Sequence, residues 1–172
     1  MFKKNNPKLC RDMHNMILYP GLLNSCRSNY RYVNEFVLDD TSIILDGAGN
    51  PYDYEGPIID KRIGLISNKH RTYYPRPFYR GGISRACMYM ANRYPEYREK
   101  IFNTMIDPYV LLTWHHEKPV SNFEKRKNER IYDLQGNYNP YVEEPDRVLE
   151  DMEKYLGKSL NIYKNYKYSS LN

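Results

Sequence analysis

The stretch DMHNMILYPGLLNSCRSNYRY, residues 12–32, places a carboxylate, an imidazole, several carboxamides and two arginines in one short segment. Asp12 stands where a helix N-cap would be, and Pro20-Gly21 interrupts the chain. Leu22-Leu23 restarts an apolar surface directly before Asn24, so we expect a short helix or tight loop that carries Asn24 inward. Groups of these kinds hold metal ions and phosphates. The stretch therefore indicates a functional site.

Length and composition predict a folded chain. The 172 residues suffice for one domain with a sizeable core, or for one domain with a tail. Hydrophobic residues make up 41% and charged residues 27%, which is typical of folded rather than disordered proteins. The formal net charge of +5 permits a polyanionic partner without requiring one.

The charges are spread unevenly along the sequence. Between residues 62 and 98, eight Lys and Arg residues stand against the single acidic Glu96. Between residues 143 and 153, six acidic residues stand against Arg147. A basic middle beside an acidic end predicts one face that meets phosphates. The alternative is a solvated surface with uneven charge.

Three cysteines, Cys10, Cys26 and Cys87, lack CxxC spacing, which argues against a zinc site and a full disulfide framework. We expect reduced thiols, although one disulfide stays possible. The sequence shows neither an apolar run of about 20 residues, as a membrane span needs, nor the apolar core of a signal peptide. We expect no membrane association, nothing in the sequence indicates a protein partner, and the compartment stays open.

The chain is predicted to have three parts: a polar arm of residues 1–11, a domain of residues 12–156, and a flexible Tyr/Lys/Asn-rich tail of residues 157–172. Alternation and turn residues predict strands over residues 30–38 and 41–45, a turn over 46–51, and pairing back by 52–59. Apolar spacing and caps predict helices over residues 80–94, 108–115, 121–134 and 146–156.

Three ordered blocks of the sequence resemble a known family. The first is the 12–32 stretch, and the second is PRPFYRGGISRACMYM at residues 75–90. The third runs from Trp114 through Glu124 and Asn128 to QGNYNPYV at residues 135–142. Together they resemble the signature of the endonuclease I family, the non-specific, magnesium-dependent nucleases of the ββα-metal class.

The resemblance implies a mixed, helix-rich α+β domain of the ββα-metal (His-Me finger) class that grips one Mg²⁺. It also implies phosphodiester hydrolysis, in which a histidine base activates water and the metal stabilises charge on the leaving oxygen. By position, Asn24 matches the family's metal-binding asparagine. The alternative for Asn24 is a helix cap or turn residue.

The resemblance places the family's base in a Glu-His-x-x-Pro motif before this block, and implies that His14 is a buried, hydrogen-bonded residue near the site. Only eleven residues precede Asp12 in the sequence, and none is histidine or glutamate. Three explanations are open: a fragment of a longer protein, a degenerate copy, or another base. The candidate substitutes are Asp12, His14 and His70.

Four arginines are candidate phosphate contacts: Arg27, Arg76, Arg80 and Arg85. The resemblance puts the last three at a basic helix start, with Arg80-Gly81-Gly82 leaving the terminus open for phosphate. The alternative is surface arginines paired with the acidic helix. Lys127 replaces the family's Arg and loses bidentate pairing with Glu124. The motif residues expected to be structural are Glu124, Asn128, Gln135, Asn137 and Asn139.

We therefore predict a metal-dependent endonuclease that contacts the backbone of DNA and/or RNA without sequence preference. The alternative hypothesis is a truncated or degenerate, catalytically inactive relative that binds nucleic acid, in which Asn24 is only structural. A third hypothesis is a fragment without an independent fold.

Overall fold

A computed structural model describes residues 7–17, 21–36, 38, 40–52 and 64–160 of the chain. The α-helices are α1 Pro7–Arg11, α2 Gly21–Arg27, α3 Pro77–Arg93, α4 Arg98–Lys100, α5 Pro108–Glu117, α6 Asn122–Gln135, α7 Pro140–Glu143 and α8 Arg147–Leu156. Tighter 3₁₀ turns cover Met13–Asn15 and Pro95–Tyr97, and a wider π-helical turn covers Ile101–Met105.

Four short strands form one mixed sheet in the spatial order β1-β4-β3-β2. They are β1 Arg31–Tyr32, β2 Ser42–Leu45, β3 Gly64–Ser67 and β4 Thr72–Tyr74. The pairs β2/β3 and β3/β4 are antiparallel, and β1 runs parallel to β4. This mixture of helices and sheet confirms the predicted α+β class.

The strand predicted over residues 41–45 is confirmed as β2, but the strand predicted over 30–38 ends at Tyr32. Beyond it, Val33 still donates its backbone N–H to Tyr73, and the Asn34 side chain then accepts a hydrogen bond from the Trp114 indole at 2.6 Å. That bond directs the chain towards α5 instead of along the sheet.

The predicted turn after β2 is built around one carboxylate. Asp46 accepts a hydrogen bond from the Asn50 side chain and three more from the backbone N–H groups of Asn50, Ala48 and Gly49. These bonds stabilise the charged form and lower the pKa of the Asp46 carboxyl group.

The same turn supports helix α2. Gly49 has φ +100°, and a Cβ there would lie 2.6 Å from the backbone nitrogen of Leu23, so α2 packs directly on the turn. Tyr52 pairs back to β2, and residues 53–59 of the predicted pairing lie outside the described residues.

Helix α3 is the central helix, and it begins three residues before the predicted start at Arg80. Pro77 occupies the first turn, where its missing N–H costs nothing, and Arg76 before it is extended at ψ 138°. The Arg80-Gly81-Gly82 segment consequently lies inside the helix. A Cβ on Gly81 would lie 2.5 Å from the Lys118 carbonyl, so the glycine allows close packing there.

The core forms where α3 packs on α5, and it includes side chains of the sheet. Its largest fully buried side chains include Trp114, Tyr73 and Ile83. The predicted cap of α6 is confirmed, because Ser121 and Glu124 form a reciprocal capping box. The helix ends at Gly136 in the left-handed conformation, with φ +79°.

Residues at the two ends of the predicted domain differ in how they pack. Leu9 in α1 is fully buried in the core, so the last part of the predicted arm belongs to the packed structure. Residues 161–172 of the predicted tail lie outside the described residues. The proposed boundaries after residues 11 and 156 stay predictions.

No helix within the described part of the chain is long and apolar enough to cross a membrane.

Candidate functional site

Asp12 is the centre of a buried hydrogen-bond network. One carboxylate oxygen accepts the hydroxyls of Tyr89 and Tyr94 at 2.8 and 2.9 Å. The other accepts the backbone N–H of His14 and the Gln135 side chain, both at 3.0 Å. Because all four bonds are internal and Asp12 is only 5% exposed, the candidate role of Asp12 as a base is not supported.

The QGN segment completes this network from the other end of the sequence. Gln135 accepts the backbone N–H of Met13 at 2.8 Å, across 122 sequence positions. It also donates to the Asn137 side chain at 2.7 Å, and Asn137 donates to Tyr89 at 2.7 Å. The first and third sequence blocks therefore form one structural unit that fixes the Met13–Asn15 turn.

His14 is buried, as the resemblance implied. Its imidazole lies 4.6 Å from the Tyr89 ring, and its Nε2 lies 2.9 Å from the Asn137 carbonyl oxygen, to which it donates when protonated. Burial lowers the pKa of His14, which favours the neutral ring. The side chain is 4% exposed and is held by a structural contact, which argues against His14 as catalytic base, a role that stays a prediction.

Arg85 is paired within the protein, which argues against its predicted role as a phosphate contact. Its guanidinium makes two parallel 2.8 Å hydrogen bonds to Glu124 and a third to the Lys118 carbonyl at 2.9 Å, and the side chain is 1% exposed. The bidentate partner of Glu124 is thus Arg85, rather than the residue at position 127. The backbone carbonyl of Arg85 accepts a bond from Asn139, which is itself bonded through its backbone N–H to the Asn128 side chain at 2.8 Å.

Arg80 is the fourth residue of α3 and is partly paired within the protein, and its phosphate role stays a prediction. Its Nε donates to the Pro75 carbonyl at 3.1 Å. Its guanidinium lies over the Tyr74 ring at 4.2 Å and forms an ion pair with a Glu117 oxygen at 3.8 Å. Its second terminal nitrogen is buried without a hydrogen-bond partner. Arg76 is half-buried with an unpartnered Nε, and its phosphate role stays a prediction.

Asn24 and Arg27 line a cleft of about 110 Å³ between α2, α3 and the Ile101–Met105 turn. Asn24 is exposed, and Arg27 lies 4.2 Å over the Tyr32 ring. The Nε of Arg27 is buried without a hydrogen-bond partner. A guanidinium with an unused donor beside an open cleft is suited to an anion.

Asn15 lines the same cleft, and sequence reasoning did not single it out. It directly follows His14 in the DMHN motif, and the Asp12 network holds its turn in place. The DMHN motif could have identified Asn15, because the buried network uses the Asp and His of the motif and leaves its Asn for another role.

Cys87 also lines the cleft. Burial raises the pKa of its thiol to about 11, so the thiol is neutral near pH 7.

The oxygen donors of the cleft fit one Mg²⁺ only if water and phosphate supply the rest of its coordination. Asn24 and Asn15 offer carboxamide oxygens, and Mg²⁺ commonly takes one or two protein oxygens together with water and phosphate. Among the described residues, no cluster of three or more His, Cys, Asp or Glu side chains is present. A cage made of protein ligands alone is therefore not formed by this part of the chain.

Comparison with known proteins agrees with the resemblance. A family model described as Endonuclease I matches residues 1–146. The chain belongs to the endonuclease I family. An extracellular deoxyribonuclease of Aeromonas hydrophila is 30% identical over 137 residues, which are 77% of this chain and 49% of that protein. A periplasmic deoxyribonuclease of the same species is 29% identical over 140 residues, or 79% and 48%.

A shorter match extends the comparison to another substrate. An extracellular ribonuclease of Bacillus amyloliquefaciens is 37% identical over 89 residues, which are 44% of this chain and 30% of that protein. This endonuclease I family chain spans about half the length of the curated deoxyribonucleases it matches.

A second, larger cavity of about 380 Å³ lies between α3 and α6. Its walls are mainly apolar, with Phe78, Phe123 and Ile131 among them. Half-buried Lys127 also lines the cavity. The sequence did not predict this cavity, because its two walls come from helices whose relative placement no local pattern specifies.

Proposed function

We propose that this chain carries the substrate-binding and metal-binding part of a Mg²⁺-dependent endonuclease that hydrolyses phosphodiester bonds of DNA and/or RNA without sequence preference. One observation carries the proposal: the Arg27 guanidinium, with an unused donor, lies beside exposed Asn24 in an open cleft. Membership of the endonuclease I family supports the same reaction class.

In this proposal Arg27 binds the phosphate and Asn24 holds the metal. The ring of Tyr32 lies against the guanidinium and helps to hold it at the cleft. When bound, Mg²⁺ supplies Lewis-acid stabilisation of the phosphate and of the leaving oxygen. The Asn24 carboxamide oxygen is a hard donor that suits this ion.

The water that attacks the phosphate needs a base. No carboxylate or imidazole among the described residues lines the cleft, and Asp12 and His14 are committed to the buried network. The proton therefore goes to a group beyond the described cleft, in agreement with the Glu-His motif that the resemblance implies. A missing general base typically costs on the order of 10²–10⁴ in rate.

Backbone recognition accounts for the lack of sequence preference. Carboxamides and a guanidinium bind phosphate and metal in any sequence, and nothing in the sequence suggests a recognition helix for base edges. The similar proteins named deoxyribonuclease and ribonuclease support a substrate class that includes both nucleic acids.

Plasmid cleavage tests the proposal. Because the sequence shows no Glu-His motif before Asp12, the purified chain should nick plasmid DNA slowly with Mg²⁺. This slow activity should be lost in EDTA and in Asn24→Ala and Arg27→Ala. Asn92→Ala, which changes an exposed asparagine of α3 outside the cleft, is the matched control. Salt-sensitive binding without nicking would overturn the enzyme and favour the binding module. Nicking by Asn24→Ala at the wild-type rate would remove its metal role.

A further inference from the structure

The 380 Å³ cavity adjoins the Asn24 cleft. Ile17 and Ala86 line both spaces, and the consecutive residues His14 and Asn15 face one space each. A chain of nucleotides whose phosphate lies in the cleft would therefore have its next unit beside the cavity mouth. The volume lies within the roughly 300–1,000 Å³ of pockets that hold small organic ligands.

Two phenylalanines mark this cavity as a site for a flat ring. Phe78 is 81% exposed and Phe123 is 50% exposed, although both are large apolar side chains. They come from different helices, α3 and α6, and both line the same space. Exposed aromatic rings beside a basic groove are how proteins stack the bases of single-stranded nucleic acid.

The charge of the cavity is complementary to an anion. The one carboxylate among its described wall residues, Glu124, is neutralised by its bidentate partner Arg85. Lys118 and Lys127 then remain as cations. The Lys127 ammonium donates to the Met16 carbonyl, which leaves two of its three N–H groups for a ligand. Burial lowers the pKa of Lys127, and an anion beside the ammonium would favour its charged form.

The exposed stacked pair Tyr132 and Tyr138 is a contrasting surface. Their rings lie 4.2 Å apart and nearly parallel, but they are surrounded by Glu129, Asp133 and Glu143. Phosphates would be repelled there. Aromatic exposure alone therefore does not distinguish the cavity; the combination of rings, cations and an adjoining phosphate cleft does.

We propose that the cavity between α3 and α6 is a nucleotide subsite, which takes one unstacked base of the substrate strand against Phe78 and Phe123 and its phosphate towards Lys127. The inference rests on the proposed function, since the cleft must hold the neighbouring phosphate. The substrates that fit such a subsite are single strands, ends and opened duplexes, because their bases are free to leave the stack.

Fluorescence of 2-aminopurine tests the subsite without cleavage. A short single-stranded oligonucleotide that carries this base is titrated with the full chain in EDTA, beside the same strand in a duplex and free mononucleotide. We expect quenching with the single strand only. Phe78→Ala should abolish the quenching and weaken binding about tenfold, as the loss of one stacked base predicts. Tyr132→Ala, which changes an exposed aromatic of α6 outside the cavity, should change neither.

A charge series gives a second readout. Lys127→Met should lower the magnitude of the slope of log affinity against log salt by about one unit. Lys125→Met, on the exposed side of α6, is the control and should leave the quenching intact. Lys127→Arg should restore the slope. These comparisons separate loss of the phosphate contact from loss of fold, because each variant is checked by its unfolding curve.

The outcomes distinguish the subsite from the function. Plasmid nicking without 2-aminopurine quenching overturns the subsite and leaves the nuclease. Equal quenching by free mononucleotide and by the single strand overturns the strand subsite in favour of a free-nucleotide site. Absence of both nicking and nucleic-acid binding overturns the two proposals together. Wild-type quenching in Phe78→Ala also refutes the inference.

Discussion

Replacing Glu124 by Gln should destabilise the protein far more than an ordinary surface change. Glu124 makes two 2.8 Å charge-assisted bonds to Arg85, which is 1% exposed. Each such bond contributes about 1.5–3 kcal/mol. Breaking a buried pair by removal of one partner costs about 3–5 kcal/mol, because the remaining charge is left without compensation. We expect a loss of that size.

The isosteric change isolates the charge. The glutamine side chain in Glu124→Gln would still fill the space and could serve the capping box with Ser121, so the helix start is largely preserved. Urea unfolding at neutral pH gives the free energies for Glu124→Gln, Arg85→Met and the double variant. The double variant should lose clearly less than the sum of the single losses, since no isolated charge is left in it.

Glu129→Gln is the matched control, because Glu129 is exposed on the same helix. It should change the free energy of unfolding by less than about 0.5 kcal/mol. A loss of under about 1 kcal/mol for Glu124→Gln, or strict additivity in the cycle, would refute the claim that this buried pair stabilises the junction of α3 and α6.

Three other predictions concern pH, backbone and motif. Burial and the Arg85 guanidinium lower the pKa of His115 from 6.5 to about 3. The stability that neutral His115 contributes is therefore complete above pH 6.5, and it falls by about 1.4 kcal/mol per pH unit as the pH drops towards 3. Unfolding curves across this range should show that loss of stability, and His115→Gln should reduce its slope against pH. Gly49→Ala should lose on the order of 2 kcal/mol in thermal unfolding, because of its positive φ and the contact with α2, whereas Gly21→Ala, which meets nothing within 4 Å, should not destabilise. Gln135→Ala should cost about 1–3 kcal/mol by leaving the Met13 N–H unpaired, as measured by urea unfolding.

Each of these has a contrary result. A flat stability profile from pH 6.5 down towards 3 would show that His115 is charged or solvated in the folded protein. Equal effects of the two glycine changes would show that the turn does not pack on α2. An unchanged unfolding midpoint in Gln135→Ala would show that the two motifs are held together by other contacts.

Local signals in the sequence predicted local structure well. The Ser121–Glu124 pair specified the start of α6, and the β-branched run specified β2, because both depend on neighbours a few residues away. The start of α3 was missed because Pro77 is both a breaker and a good first helical residue, and only the preceding extended backbone decides between these roles.

The sequence could not sort the arginines. Arg80, Arg85 and Arg27 carry the same guanidinium group, so residue type alone does not separate their roles. Arg85 is buried because its partner, 39 positions later, comes to lie beside it, whereas Arg27 keeps an unused donor at a cleft. Long-range packing decides which guanidinium pairs with a carboxylate and which lines a cleft, and no local motif predicts that choice.

The bonds between Gln135 and the Met13 region also fix an order of events during synthesis. Residues 12–15 are translated early in this sequence, and their partners follow more than a hundred positions later. Closing so long a loop has an entropic cost that only nearly complete packing can offset. The turn that presents Asn15 to the cleft is therefore completed only after the end of α6 has been synthesised, so the cleft cannot take its folded shape in a shorter nascent chain.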